Sequence, residues 1–92
     1  MGSSAVYTLK FYGSAARDLE RIDRPFQKII KEKLLILARN PGALANNITR
    51  LSGSTDHYRL RVGSYRVIFE KRDKELVILV VRIGHRREVY VS

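Results

Sequence analysis

HYRLRVGSYRVIFE, residues 57–70, decides the fold. Polar and apolar residues alternate on both sides of Gly63-Ser64, and a period of two marks a strand with one buried face. Gly63-Ser64 suits a two-residue type II′ turn, which takes Gly at its first central position. That turn fixes the pairing: Val62 opposite Tyr65, Arg61 opposite Arg66, Leu60 opposite Val67 and Arg59 opposite Ile68. One face of the hairpin then carries Tyr58, Leu60, Val62, Tyr65, Val67 and Phe69, an apolar surface for helices to cover. The other carries Arg59, Arg61 and Arg66 together. Like charges directly opposite one another destabilise a sheet, and an ordinary solvated face mixes its signs. Three converging arginines therefore point to an anion site. Glu70 and Glu88, acting as surface partners, are the competing account of how this charge is balanced.

Downstream, Asp73-Lys74 reads as a turn and Leu76–Ile83 as a nearly continuous apolar run broken by Arg82. Such a run predicts a central strand buried on both faces. Gly84 ends it, and a basic coda follows, His85-Arg86-Arg87-Glu88-Val89-Tyr90. Arginine grips phosphate with a fork of donors and keeps its charge. Histidine titrates near neutral pH, so His85 reads either as a group that moves a proton or as a structural side chain. Tyr90 reads as an aromatic that stacks on a base, as a donor to a phosphate oxygen, or as a plain edge aromatic. His57 reads as an incidental loop residue.

Upstream lies scaffold. Val6–Phe11 alternates as a first strand, and Gly13-Ser14 breaks it. Ser14 is the expected N-cap of a short helix to about Ile22, with Ala15, Ala16, Leu19 and Ile22 as its stripe. Asp23 is the expected cap of a second helix, with Pro25 in its first turn and Phe26, Ile29, Ile30, Leu34, Leu37 and Ala38 recurring at helical spacing through Arg39. Asn40-Pro41-Gly42 stops it. The short connection predicts an antiparallel helical hairpin. Residues 42–57 read as polar and irregular, with Ile48 and Leu51 tacking them to the core, in one reading as a short strand.

The 92 residues make one domain, 1–92, in which Met1–Ser4 is consistent with a cloning scar. A chain of this size buries about 60–65% of its extended surface, enough for one core. Absence of cysteine excludes a disulfide framework, a thiolate metal site and a cysteine nucleophile, and is in keeping with a reducing cytoplasm. No apolar run approaches the roughly 20 residues that span a bilayer, so no membrane partner is expected. Eighteen basic against nine acidic residues give a formal charge of +9, which favours a polyanionic partner. No HExxH, Walker loop, dinucleotide fingerprint or close His/Asp/Glu cluster is present, so no cofactor and no metal is expected.

YRLRVGSYRVIFE followed by VVRIGHRREVY resembles the RelE-type toxins of the RelE/ParE superfamily, from bacterial and archaeal toxin–antitoxin pairs. The resemblance covers nearly the whole chain. It implies an α+β, RelE-like microbial RNase fold: an N-terminal strand, an antiparallel two-helix hairpin, then a curved, mostly antiparallel sheet. It also implies a cytoplasmic, metal-independent endoribonuclease that acts on mRNA in the ribosomal A site and is held in check by a cognate acidic antitoxin. The reaction implied is attack of a ribose 2′-hydroxyl on the adjacent phosphate, leaving a 2′,3′-cyclic phosphate and a 5′-hydroxyl. The family's functional positions fall on Arg59, Arg61, Arg66, Arg86 and Tyr90, with Arg87 as a further phosphate contact. Some members carry lysine where this chain has Arg59 and Arg61. Arginine stays protonated and is a poor general base. The proton acceptor then falls to His85 or Glu88, with His85 preferred. With two residues after Tyr90, no C-terminal helix of the kind some relatives carry is expected. Two other readings share these features: a ParE-like inhibitor of DNA gyrase on the same fold, and a non-catalytic RNA- or DNA-binding module.

Overall fold

The hairpin forms in the register its turn dictates. Val62 pairs with Tyr65, Arg61 with Arg66, Leu60 with Val67, Arg59 with Ile68 and Tyr58 with Phe69. Gly63 has φ of 59°, a value glycine reaches without the Cβ penalty, while Ser64 stays out of the positive-φ region, as a type II′ turn asks. The computed structural model describes residues 6–51, 53 and 56–85. Its elements are β1 (Thr8–Phe11), α1 (Gly13–Glu20), α2 (Arg24–Arg39), a 3₁₀ segment (Pro41–Asn47), β2 (Ile48–Arg50), β3 (His57–Val62), β4 (Tyr65–Arg72) and β5 (Val77–His85). One five-stranded sheet has the order β1-β5-β4-β3-β2, with β1 parallel to β5 and every other pair antiparallel.

Both helices cover the same face of that sheet. Ala15, Leu19 and Ile22 from the α1 side, and Ile30, Leu34 and Leu37 from α2, pack with Leu60, Val62, Val67, Phe69, Ile78, Val80 and Ile83. Each of the Val, Leu, Ile and Phe side chains, fully buried, contributes about 1.5–3 kcal/mol of transfer free energy before entropy is counted. Phe26 and Ile29, expected in the core stripe, are instead exposed at 45% and 43%, in the N-terminal half of α2. There Phe26 leans on Tyr65 with ring centroids 5.5 Å apart.

A β-bulge at Ile68/Phe69 alters the expected last strand. Ile68 pairs with Arg82 but Phe69 pairs with Val80, so Val81 has no opposite residue. The extra residue reverses the alternation of β5. Ile78 and Val80 face the helices before the bulge, and Ile83 and His85 face them after it. The strand is interior, yet it is not buried on both faces: Val77, Leu79 and Val81 are only half-buried. Val81 joins Leu51 and Ile68 in a small apolar cluster on the side away from the helices.

Three local expectations also change. The N-cap of α1 is Tyr12, and the Ser14 hydroxyl donates across to the Val81 carbonyl at 3.1 Å. Asp23 caps α2 without a side-chain hydrogen bond; its carbonyl accepts from the Phe26 and Gln27 N–H groups instead. Residues 41–47 are an ordered 3₁₀ turn rather than irregular chain, and β2 follows as the short strand.

β1 ends at Phe11, opposite Val80, so the far half of β5 runs past its neighbour. Asp18 of α1 covers the gap. Its Oδ2 accepts from the Ile83 N–H and from Arg82 Nε, both at 2.9 Å. The carboxylate therefore replaces a missing strand at this edge. Asp18→Ala strands a partly buried donor and is expected to cost about 1–3 kcal/mol. Arg82→Ala removes an exposed ion pair and is expected to cost less than about 1 kcal/mol. Asp18→Asn keeps an acceptor oxygen and should fall between them in thermal melts. Equal losses for Asp18→Asn and Asp18→Ala would show that charge, not the edge hydrogen bond, matters.

A second tie closes the sheet's other end. The Tyr7 hydroxyl and Lys71 Nζ both donate to Asp73 Oδ1, at 2.7 and 2.6 Å, and Lys71 lies over the Tyr7 ring. The Lys71 bond, then the Tyr7 bond, hold the Asp73 carboxyl below its ordinary pKa. A depressed carboxyl stabilises the fold above its unfolded pKa and loses that contribution as pH falls through the folded one. Asp73→Asn is expected to cost up to about 1 kcal/mol at pH 7, given the exposure of the pair. Its deficit against the parent should vanish in acid, below the carboxylate range of about 4, when urea midpoints are compared across pH.

Candidate functional site

On the face away from the helices, Arg61 and Arg66 sit directly opposite each other and Arg59 lies one alternate position along β3. Their side chains line a concavity of about 190 Å³. The register that buries Leu60 and Val67 leaves these three no other face to occupy. Gly84 is the residue opposite Arg66 on β5, so no side chain from that strand intrudes there. Among the described residues, Arg59 and Arg61 have no carboxylate within ion-pair distance. Glu70, considered above as a neutralising partner, is engaged elsewhere. Its carboxylate meets His57 Nε2 at 3.1 Å and Arg72 at 2.8 Å and is 13% exposed. Like charges held this close repel, and a bound anion relieves that repulsion while taking up several donors.

The remaining wall was not read from the sequence. Asn46 and Asn47, from the end of the 3₁₀ segment, and Thr49 of β2 line the same concavity. Thr49 is directly opposite Arg59. The signal available was the alternation of Ile48-Thr49-Arg50, which, aligned antiparallel to the hairpin, puts Thr49 on the arginine face.

His85 is not brought to the arginines. It pairs with Tyr65 on the helix-covered face, ring centroids 5.8 Å apart, and borders a cavity lined also by Phe26, Ile29 and Val62. The reason is the bulge: without the extra residue at Val81, position 85 would share the face of Leu79 and Val77. His57, which seemed incidental, is the first residue of β3 and lies on the arginine face beside Glu70. Arg86, Arg87, Glu88 and Tyr90 lie outside the described residues.

Comparison with known proteins agrees with the fold. The family described as the ParE toxin of type II toxin–antitoxin systems, parDE, matches residues 9–90. The mRNA interferase toxin RelE of Escherichia coli strain K12 is 28% identical over 88 residues, covering 91% of this chain and 90% of that protein. Toxin RelG of Mycobacterium tuberculosis is 26% identical over 85 residues, covering 91% and 95%. Among solved structures, the archaeal RelE–RelB complex from Pyrococcus horikoshii superposes with a TM-score of 0.77 at 25% identity, covering 91% of this chain and 99% of that one. The RelBE2 complex from Mycobacterium tuberculosis superposes with a TM-score of 0.78 at 22% identity, covering 96% and 100%, which speaks for the fold alone. An open five-stranded sheet with its helices on one face, matched over nearly its full length by toxins of one kind, leaves a single conclusion: the chain belongs to the ParE toxin family, within the RelE/ParE superfamily of type II toxin–antitoxin toxins.

Proposed function

We propose that this toxin is a ribosome-dependent endoribonuclease that cuts mRNA in the ribosomal A site. The observation that carries the reading is the cluster of Arg59, Arg61 and Arg66 around one concavity on the uncovered face of the sheet. In the proposed reaction the ribose 2′-oxygen attacks the adjacent phosphorus and the bond to the 5′-oxygen breaks. The products are a 2′,3′-cyclic phosphate and a 5′-hydroxyl. Negative charge builds on the non-bridging oxygens along the way. Guanidinium groups already positioned there stabilise that charge without reorganising, which is why the reading requires no metal. Arg86, Arg87 and Tyr90 complete the proposed set from the coda, as further phosphate contacts and a stacking or donating ring. An arginine keeps its own proton, so the acceptor of the 2′-proton is a different group. His85, the sequence's candidate, has its ring packed on Tyr65 beneath the helices.

The names of the curated relatives support nuclease chemistry over gyrase inhibition: one is called an mRNA interferase. The solved relatives include complexes with RelB antitoxins, and the charge of +9 suits a cognate antitoxin with an acidic segment. Among the described residues no helix is long and apolar enough to cross a membrane. The proposed site of action, the ribosome, is cytoplasmic.

The test is primer extension on mRNA after induced expression. The parent should give cuts in register with codons that depend on ribosomes. Arg66→Ala and Arg61→Ala should each lower cutting by about 10²–10³-fold, the loss typical for one transition-state donor. Both variants should melt close to the parent, since neither side chain belongs to the core. Full toxicity in both would remove the site, and DNA-damage signalling with intact mRNA would move the assignment to gyrase.

A further inference from the structure

We propose that Asn46, Asn47 and Thr49 form a base-reading wall beside the arginines, and so set which RNA sequence is cut. The inference rests on the nuclease reading above and deepens it. Three arginines on one concavity supply charge but no means of telling one nucleotide from another, since every nucleotide carries the same phosphate. The opposite wall differs in kind. An amide offers a donor and an acceptor side by side, and a hydroxyl offers both on one atom. These are the groups that match the edge of an unstacked base in single-stranded RNA.

Two structural features place them for that task. Thr49 is opposite Arg59, and Asn46 and Asn47, which lead into β2, line the same concavity as Arg61 and Arg66. Their hydrogen-bonding capacity is also unspent. Gln27 donates to the Ile22 carbonyl and Ser14 to the Val81 carbonyl, each holding the fold together. Among the described residues the side chains of Asn46, Asn47 and Thr49 make no such bond, and all three border the concavity. A base next to the scissile phosphate would meet them. Asparagine pairs in a bidentate way with adenine, so adenine is the base this wall favours.

The experiment maps cut sites at single-nucleotide resolution on a ribosome-bound mRNA library with a randomised codon. The parent should show a preference at one position flanking the cut, with adenine enriched. The double variant Asn46→Ala/Asn47→Ala should flatten that preference by about tenfold, the discrimination one bidentate pair supplies. Asn47→Asp, nearly isosteric, replaces a donor with an acceptor and should shift the preference toward cytosine, whose exocyclic amine a carboxylate accepts. It also serves where the double variant folds poorly, as melting curves would reveal. An unchanged preference in either folded variant overturns the proposal, whether or not total cutting falls. A parent that cuts no RNA fails the nuclease reading first and removes this wall with it.

Discussion

Everything on this sheet depends on the pairing of Val62 with Tyr65 across the Gly63-Ser64 turn. Strand side chains alternate with a period of two, so a slip of one residue exchanges the faces completely. A slip of β3 against β4 would carry Tyr58, Leu60 and Val62 toward water and drive Arg59 and Arg61 under the helices. Transfer of three large apolar side chains costs several kcal/mol on its own. A charged arginine in the core adds more unless it finds a partner. The hydrophobic core is therefore what sets the arginines on one face, and their mutual repulsion opposes it. A turn glycine, an apolar stripe and a cationic cluster are three consequences of one register.

That division explains what the sequence revealed. The hairpin, the two helices and the arginine cluster follow from local periodicity and one turn, and each is present, with the caps of both helices changed. The β-bulge opposite Ile68/Phe69 does not follow. Residues 76–83 are almost all apolar, so their polarity carries no phase from which an inserted residue is visible. Reading the run as buried on both faces was the natural outcome of that missing phase. The error propagated to His85, because parity beyond the bulge is reversed. The polar wall was missed for another reason. Asn46 and Asn47 end a 3₁₀ turn, where spacing predicts no face, and only the pairing of β2 with β3 brings them near the arginines.

The sheet edge shows the same economy of means. An unpaired strand edge invites pairing with another chain. Here the far half of β5 is guarded by side chains of α1: Ser14 on the Val81 carbonyl and Asp18 on the Ile83 N–H. Ser14 and Asp18 are four residues apart, one helical turn, so both reach the same strand. The expected N-cap and an acid outside the apolar stripe of the helix are substitutes for ladder partners. Helix α1 thus does two tasks: it buries Ala15 and Leu19 against the sheet and completes the hydrogen bonding of β5.

In the proposed reaction, arginine at 59, 61 and 66 separates two parts of phosphoryl chemistry that lysine can combine. A lysine crowded by other cations loses its proton more readily and can then accept one. Arginine in the same crowd stays charged. In the proposed reaction the concavity is consequently an electrostatic device. In the proposed reaction the proton-transfer group is then a side chain other than these arginines. Of the two histidines, the one on the arginine face is His57, tied to Glu70, while His85 is packed beneath the helices. In the proposed reaction, pH dependence would therefore report on a group other than the arginines, whereas dependence on salt would report on the arginines themselves.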